Sequence, residues 1–272
     1  MELPNAVRVL LVVLTAGSFI PQYRRIGERR DCAGLSGWYL FYNNIAATQH
    51  VSVALTYILF MGVDGEPVDH DLQTPGDWLN LAQFVAVCGG HLILLVAYIA
   101  MSPATTRHKV TLGTLYLLYL IISFSPIILI IALVPNEGDV LHNRSIPVAV
   151  LMMFHAWVLT PLSTVLAIHA YFPQARDLRS RSDLGAVSEV GLILQSVIFF
   201  ISGVTWNFRW GLFHGLIGWD WYMFTGWAAV DDVIFAVVQR YLWKVARGVG
   251  QEVVVTNDRE TEPLIGGSET SA

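Results

Sequence analysis

Phe19-Ile20-Pro21-Gln22-Tyr23-Arg24-Arg25 closes an apolar run that begins at Pro4, and Phe172-Pro173-Gln174-Ala175-Arg176 closes another. The two Pro-Gln pairs stand 152 residues apart. Laid over each other without gaps, the stretches pair Arg24 with Arg176, Arg29 with Arg181, Asp31 with Asp183 and Ser36 with Ser188. Each copy then enters a new apolar segment. One such coincidence says little, but a shared register at equivalent places is the mark of an internal repeat.

Composition sets the medium in which that repeat folds. The chain has 272 residues, 54% of them hydrophobic and only 14% charged. A soluble domain is about one-quarter charged. Crossing a bilayer as a helix takes roughly 20 apolar residues. Seven segments qualify: 4–22, 35–61, 78–101, 110–134, 145–174, 185–206 and 220–243. The first has no small-residue cleavage pattern and leaves through Pro-Gln-Tyr-Arg-Arg, so it reads as a retained helix and not as a signal peptide. The net charge of −5 leaves no basic domain for a nucleic-acid partner. Two cysteines on different segments, Cys32 and Cys88, build neither a disulfide framework nor a metal site.

Loop charges orient the helices. Thirteen of the sixteen basic residues fall after the first, third, fifth and seventh segments, and only Arg8, Arg144 and Arg209 fall on the other side. The positive-inside rule places the thirteen in the cytosol. The N-terminus is then lumenal and the C-terminus cytosolic. Asn143-Arg144-Ser145 is a glycosylation sequon on the lumenal side. From residue 244 the chain is expected to run on as a disordered cytosolic tail. Within it, Glu260 followed by Leu264-Ile265 has the form of an acidic dileucine signal, of the kind clathrin adaptors read during sorting to a vacuole or lysosome. The alternative there is a plain polar tail.

A parallel repeat needs an odd number of helices between its copies. The expected fold is therefore all-α and membrane-embedded, with seven helices in a 3+1+3 pseudo-repeat. Residues 4–101 form one three-helix bundle, 110–134 a linker helix and 145–243 the second bundle, with the site between the bundles. This layout and the two Pro-Gln motifs resemble the PQ-loop repeat family, which includes cystinosin and vacuolar amino-acid exporters. The resemblance is strongest from Phe19-Ile20-Pro21-Gln22 to Gly34-Leu35-Ser36; the second copy has Ala186-Val187 where the first has Gly34-Leu35.

Several polar groups lie inside the apolar segments. Proline removes a backbone donor and frees the carbonyl four residues back. Pro21-Gln22 and Pro173-Gln174 thus read as hinges, each glutamine amide satisfying the freed carbonyl. Ser36, Asn43 and His50 share one helix face, as do Ser188, Gln195 and Ser202. The 152-residue shift maps one stripe on the other. Asn43, Gln195, His50 and Ser202 are read as a substrate path, and interhelical bonding is the alternative. The resemblance places Asn43 where cystinosin-type members have an asparagine, and Gln195 where cystinosin has a proton-binding aspartate. An amide does not titrate, so coupling cannot run through that position. Asp231 and Asp232 lie well inside the last segment. Adjacent helical residues point about 100° apart, so the two cannot face one cavity. Asp232-Val233-Ile234-Phe235 resembles a run in the seventh helix of cystinosin, which makes Asp232 the expected proton carrier or ammonium ligand. Asp231 is left to pair with the second or third helix. His91 and His155 have no second histidine at helical spacing and read as packing residues. Trp206 and the tryptophans that follow it read as an interfacial belt.

The function expected is a secondary transporter. It would move a small polar solute, an amino acid or related metabolite, across a vacuolar or lysosomal membrane, with protons as the coupling partner. No cofactor, metal or catalytic constellation is expected. The alternative is a seven-helix receptor or sorting factor of the KDEL-receptor type.

Overall fold

The computed structural model describes residues 3–60, 74–133, 150–151, 153–181, 183–209 and 226–260. Among these every regular element is a helix. They are α1 (Asn5–Ser18), α2 (Ile20–Arg29), α3 (Gly37–Phe60), α4 (Pro75–Met101), α5 (Thr106–Leu133), α6 (Thr160–His169), α7 (Tyr171–Arg179), α8 (Glu189–Trp206) and α9 (Gly226–Glu260). A π-helical turn, His155–Leu159, precedes α6 and ends just before Pro161. Proline lacks the N–H that would bond Trp157, and the extra residue of a π turn takes up the register.

Burial is inverted relative to a water-soluble bundle. α3 buries Asn43, Asn44, Thr48, Gln49, Ser52 and Thr56, whereas α5 turns Leu117, Leu118, Ile121, Ile122, Ile128 and Leu129 outward. Lipid is as apolar as a leucine side chain, so hydrocarbon surrounds the outside and polar groups find partners inside. Among the described residues five helical stretches are long and apolar enough to cross a membrane: Asn5–Arg29, Pro75–Met101, Thr106–Ala132, His155–Arg179 and Glu189–Trp206. The chain has the makeup of a multi-pass membrane protein. α3 and α9 are 24 and 35 residues long but fall outside that set. α3 spends much of its length on inward polar residues, whereas α9 buries Asp231 and Gln239 and carries exposed Arg240, Lys244 and Arg247, which lowers the hydropathy of each without shortening it.

α3 packs on α4, α5 and α6, while α1 packs on α4 and α8. α9 packs along α8 and against α6 and α7. Around the Pro-Gln end the core gathers Phe19, Leu40, Leu178, Phe199, Phe235 and Leu242. At the opposite end a second core gathers Val53, Ile58, Phe84, Ile127 and Trp206.

The last helix departs from expectation. The tail expected to be disordered from residue 244 is helical as far as Glu260. Leu242, Ala246 and Val249 are buried and recur at helical spacing, so the packed face of α9 carries on past the expected exit.

The breaks before the two prolines fall at Phe19 and Ala170, the residues between α1 and α2 and between α6 and α7. Each break puts its proline near a helix start, where the missing N–H has no partner to lose. Two tight turns follow α2 and α7. Gly34 has φ +89° and Gly185 φ +55°. They meet each other: a Cβ on Gly34 would lie 2.7 Å from the Leu184 oxygen, and one on Gly185 would collide with the Ala33 carbonyl. The Ala186 N–H donates to that same Ala33 oxygen at 2.6 Å. Gly185→Ala is expected to destabilise the protein by more than the roughly 1–2 kcal/mol of a left-handed residue alone. Thermal unfolding in detergent checks this, with the surface glycine change Gly27→Ala, which meets open space, as the neutral control.

Candidate functional site

Three polar constellations sit on the seam where α1–α4 meet α6–α9. The first is built from Asp231, on the second turn of α9. His50 Nε2 lies 2.8 Å from Asp231 Oδ2, and Thr164 Oγ1 donates to Oδ1 at 2.6 Å. Asp231 is 6% exposed. Its two oxygens thus tie α3 to α6 through α9. A carboxylate removed from water needs both oxygens engaged, and here both are.

Asp232 points elsewhere, as helical geometry requires. Its Oδ2 accepts from Trp206 Nε1 at 2.7 Å. Phe84 then stacks between the two acids' partners. Its ring lies 4.7 Å from Trp206 at 6° and 5.2 Å from His50 at 12°. The other face of the network is Arg209, whose guanidinium sits 3.9 Å over the Trp206 ring. It donates to Asn80 Oδ1 at 3.1 Å and to Gln83 Oε1 at 2.6 Å. Gln83 in turn donates to Ser202. Arg8 donates to the Arg209 carbonyl at 2.9 Å.

The second constellation holds the Pro-Gln end. Gln22 Nε2 donates to Ala186 O at 2.7 Å, and its Oε1 accepts from the Ser188 N–H at 3.0 Å. Gln174 Nε2 donates to Gly34 O at 2.7 Å, and its Oε1 accepts from the Ser36 N–H at 2.9 Å. Each glutamine therefore clasps the turn of the other half. The expectation that each amide serves its own helix is wrong. The helices restart at the prolines, whereas the turn backbones carry buried N–H and C=O groups with no ladder to join. Arg29 bonds Asp183 at 2.7 Å outside this clasp, and that bond holds the Asp183 carboxyl below the usual carboxylate range.

The third is a cavity between the two. It is small, about 20 Å³, on the order of one water molecule, and its lining includes Gln22, Gln174, Tyr39, Leu94, Gln195 and Leu242. Gln239, fully buried, donates to Tyr39 Oη at 2.6 Å. Gln195 is 5% exposed, and its side chain makes no hydrogen bond among the described residues.

The expected site residues divide among these places. Pro21, Gln22, Pro173 and Gln174 frame the clasp. Gln195 faces the cavity. His50 joins Asp231, and Ser202 joins Gln83. Asn43 is buried and donates to Tyr39 O at 2.9 Å, within its own helix. Asn44 donates to the His91 carbonyl, Thr48 meets Tyr116, and Gln49 meets His155 and Thr160. His91 lies edge-on to Phe19 and Phe235. Glu260 closes α9, while Leu264, Ile265 and Asn143 lie outside the described residues.

Burial refines two expectations. Arg8 and Arg209, counted among the bases of the lumenal side, are 5% and 3% exposed. Trp206, counted in the interfacial belt, is fully buried, with Phe84 stacked on its ring and Arg209 over it. Sequence reasoning passed over Asn80, Gln83, Phe84 and Thr164. Asn80 and Gln83 had a usable signal: two amides three apart in a span share a helix face. Thr164 had none. No protein-family model, curated protein or solved structure matches the chain.

Proposed function

We propose that the protein is a secondary transporter of the PQ-loop type that moves a small polar solute, an amino acid or related metabolite, with proton coupling. The observation that carries the reading is the His50–Asp231–Thr164 bond set. Ionisable groups inside a membrane bundle mark proton or substrate pathways, and this one spans the seam between the two halves. A proton taken up there weakens the attachment of α3 to α9 and α6. The layout proposed is seven helices in two three-helix bundles joined by α5. The packing pairs support it: α1 on α8 and α3 on α6 exchange under the 152-residue shift, as do α3 on α4 and α8 on α9. The exchanged glutamines support it in the same way.

In this reading the clasp closes the cytosolic side. Release of Gln22 and Gln174 opens the cavity there, while separation at Trp206 and Arg209 opens it to the lumen. Asp232 remains the ammonium ligand or a second proton carrier, and Asp231 with His50 is the coupling pair. The membrane proposed is vacuolar or lysosomal, with the C-terminus cytosolic.

The test is flux in proteoliposomes across a panel of amino acids, with an acid-inside and a symmetric pH condition. Uptake or efflux stimulated by the gradient, and made gradient-insensitive by Asp231→Asn, is the expected result. No flux of any solute, with saturable peptide binding instead, replaces transport with a receptor function. Gradient-driven flux unchanged in both Asp231→Asn and Asp232→Asn leaves transport standing and removes the coupling assignment.

A further inference from the structure

We propose that Arg209 and Asn80 form a binding subsite for a carboxylate group, at the end of the bundle opposite the Pro-Gln clasp. The inference takes the transport reading as its reason for a solute to arrive there. Arg209 is 3% exposed at the close of α8, yet no carboxylate oxygen lies within ion-pair distance among the described residues. Its partners are neutral: the side-chain oxygens of Asn80, Gln83 and Thr205 and the face of Trp206. Burying a guanidinium whose hydrogen-bond acceptors are all neutral is costly, and Asp232, beyond Trp206, acts on its charge only through space. Two donors in the same neighbourhood are also unused. Arg209 Nε and Asn80 Nδ2 are both buried without a hydrogen-bond partner, and the two side chains already bond each other. Asn80 is 2% exposed. Buried donors without acceptors are uncommon in folded proteins and call for a partner; here two of them adjoin one buried guanidinium.

A carboxylate answers both features. It supplies a negative charge in contact with the guanidinium, and its two oxygens can accept from more than one donor. A neutral carbonyl would satisfy one donor and leave the charge. The surroundings add a second point of recognition. Trp206 separates the subsite from Asp232, with the guanidinium over its ring and the carboxylate on its indole N–H. An anion receptor and a cation receptor therefore flank one aromatic ring, the arrangement that suits a solute with both groups. Arg8 holds the Arg209 backbone in place through its bond to the Arg209 carbonyl. The subsite thus belongs to the packed bundle.

The experiment uses the full chain in nanodiscs and three probes with one apolar body: alanine, propionate and alaninamide, at matched ionic strength with chloride as the counterion control. Alanine and propionate are expected to raise the unfolding temperature saturably, and alaninamide is not. Alanine acting more strongly than propionate identifies an amino acid as the source of the carboxylate; equal action identifies a simple acid. Asn80→Asp is expected to fill the subsite with its own carboxylate. It should raise the unfolding temperature without ligand and abolish the response to both acids. Asn80→Ala should weaken the response at least about tenfold. Alaninamide protecting as well as alanine overturns the proposal. So does the absence of any carboxylate response in cooperatively unfolding wild-type protein, or an Asn80→Asp protein that is less stable and still responsive. A carboxylate response without flux in proteoliposomes refutes transport and keeps the subsite. Flux that does not distinguish alanine from alaninamide does the reverse.

Discussion

Asp231→Leu lowers the stability of the protein by about 3–5 kcal/mol, the loss expected when one member of a buried polar pair is removed. Leucine is apolar and of similar size, so packing is not the cause. The loss arises because His50 Nε2 and Thr164 Oγ1 both point at Asp231 oxygens, 2.8 and 2.6 Å away, and would keep their polarity with nothing to meet it. Asp231→Asn retains one acceptor oxygen and should cost less, about 1–2 kcal/mol. A double change, His50→Leu with Asp231→Leu, should recover part of the loss, since two apolar partners satisfy each other where one stranded polar group cannot. Reversible unfolding in mixed micelles measures all three. Strict additivity of the two single losses would show that His50 and Asp231 are not energetically coupled and would remove the bond set as a seam between the halves.

The second large effect falls at the other end. Gln174→Leu strands the Gly34 carbonyl and the Ser36 N–H, and Gln22→Leu strands the Ala186 carbonyl and the Ser188 N–H. Each buried backbone group left without a partner costs about 1–3 kcal/mol. Ser36 is buried and Ser188 only half-buried, so water repairs the second break more readily. Gln174→Leu should therefore be the more damaging of two changes that look equivalent in sequence. Cys32 gives a direct readout. It is 1% exposed and sits beside the Ala33–Gly34 turn. In a Cys88→Ala background, maleimide labelling of Cys32 should accelerate about tenfold for each 1.4 kcal/mol by which opening is eased. Labelling at the wild-type rate in Gln174→Leu would mean that the clasp does not hold that turn.

What could be read without coordinates was whatever periodicity and spacing carry. The apolar segments, the paired Pro-Gln stretches and the two polar stripes all show in the linear order of residues. So does the divergence of Asp231 and Asp232, because a helix turns 100° per residue wherever it lies. Helix ends were less legible. Leu242, Ala246 and Val249 continue a buried face, but the charges between them mask it. Asn80 and Gln83 were available in principle as an amide pair in an apolar span. The burial of Arg209 was not legible because a basic residue near a span end reads as solvated until its partners are known.

The sequence by itself determined the medium, the all-helical class and the candidate polar groups, since hydrocarbon admits only segments whose backbone bonds are internal. Which groups meet was decided only by the tertiary structure. Gln22 and Ala186 are 164 residues apart, and His50 and Asp231 are 181 apart. No local propensity specifies a pairing across such distances. It follows from how the helices pack, and packing is what joined the two Pro-Gln glutamines into one exchanged clasp and buried Arg209 without an ion-pair partner among the described residues.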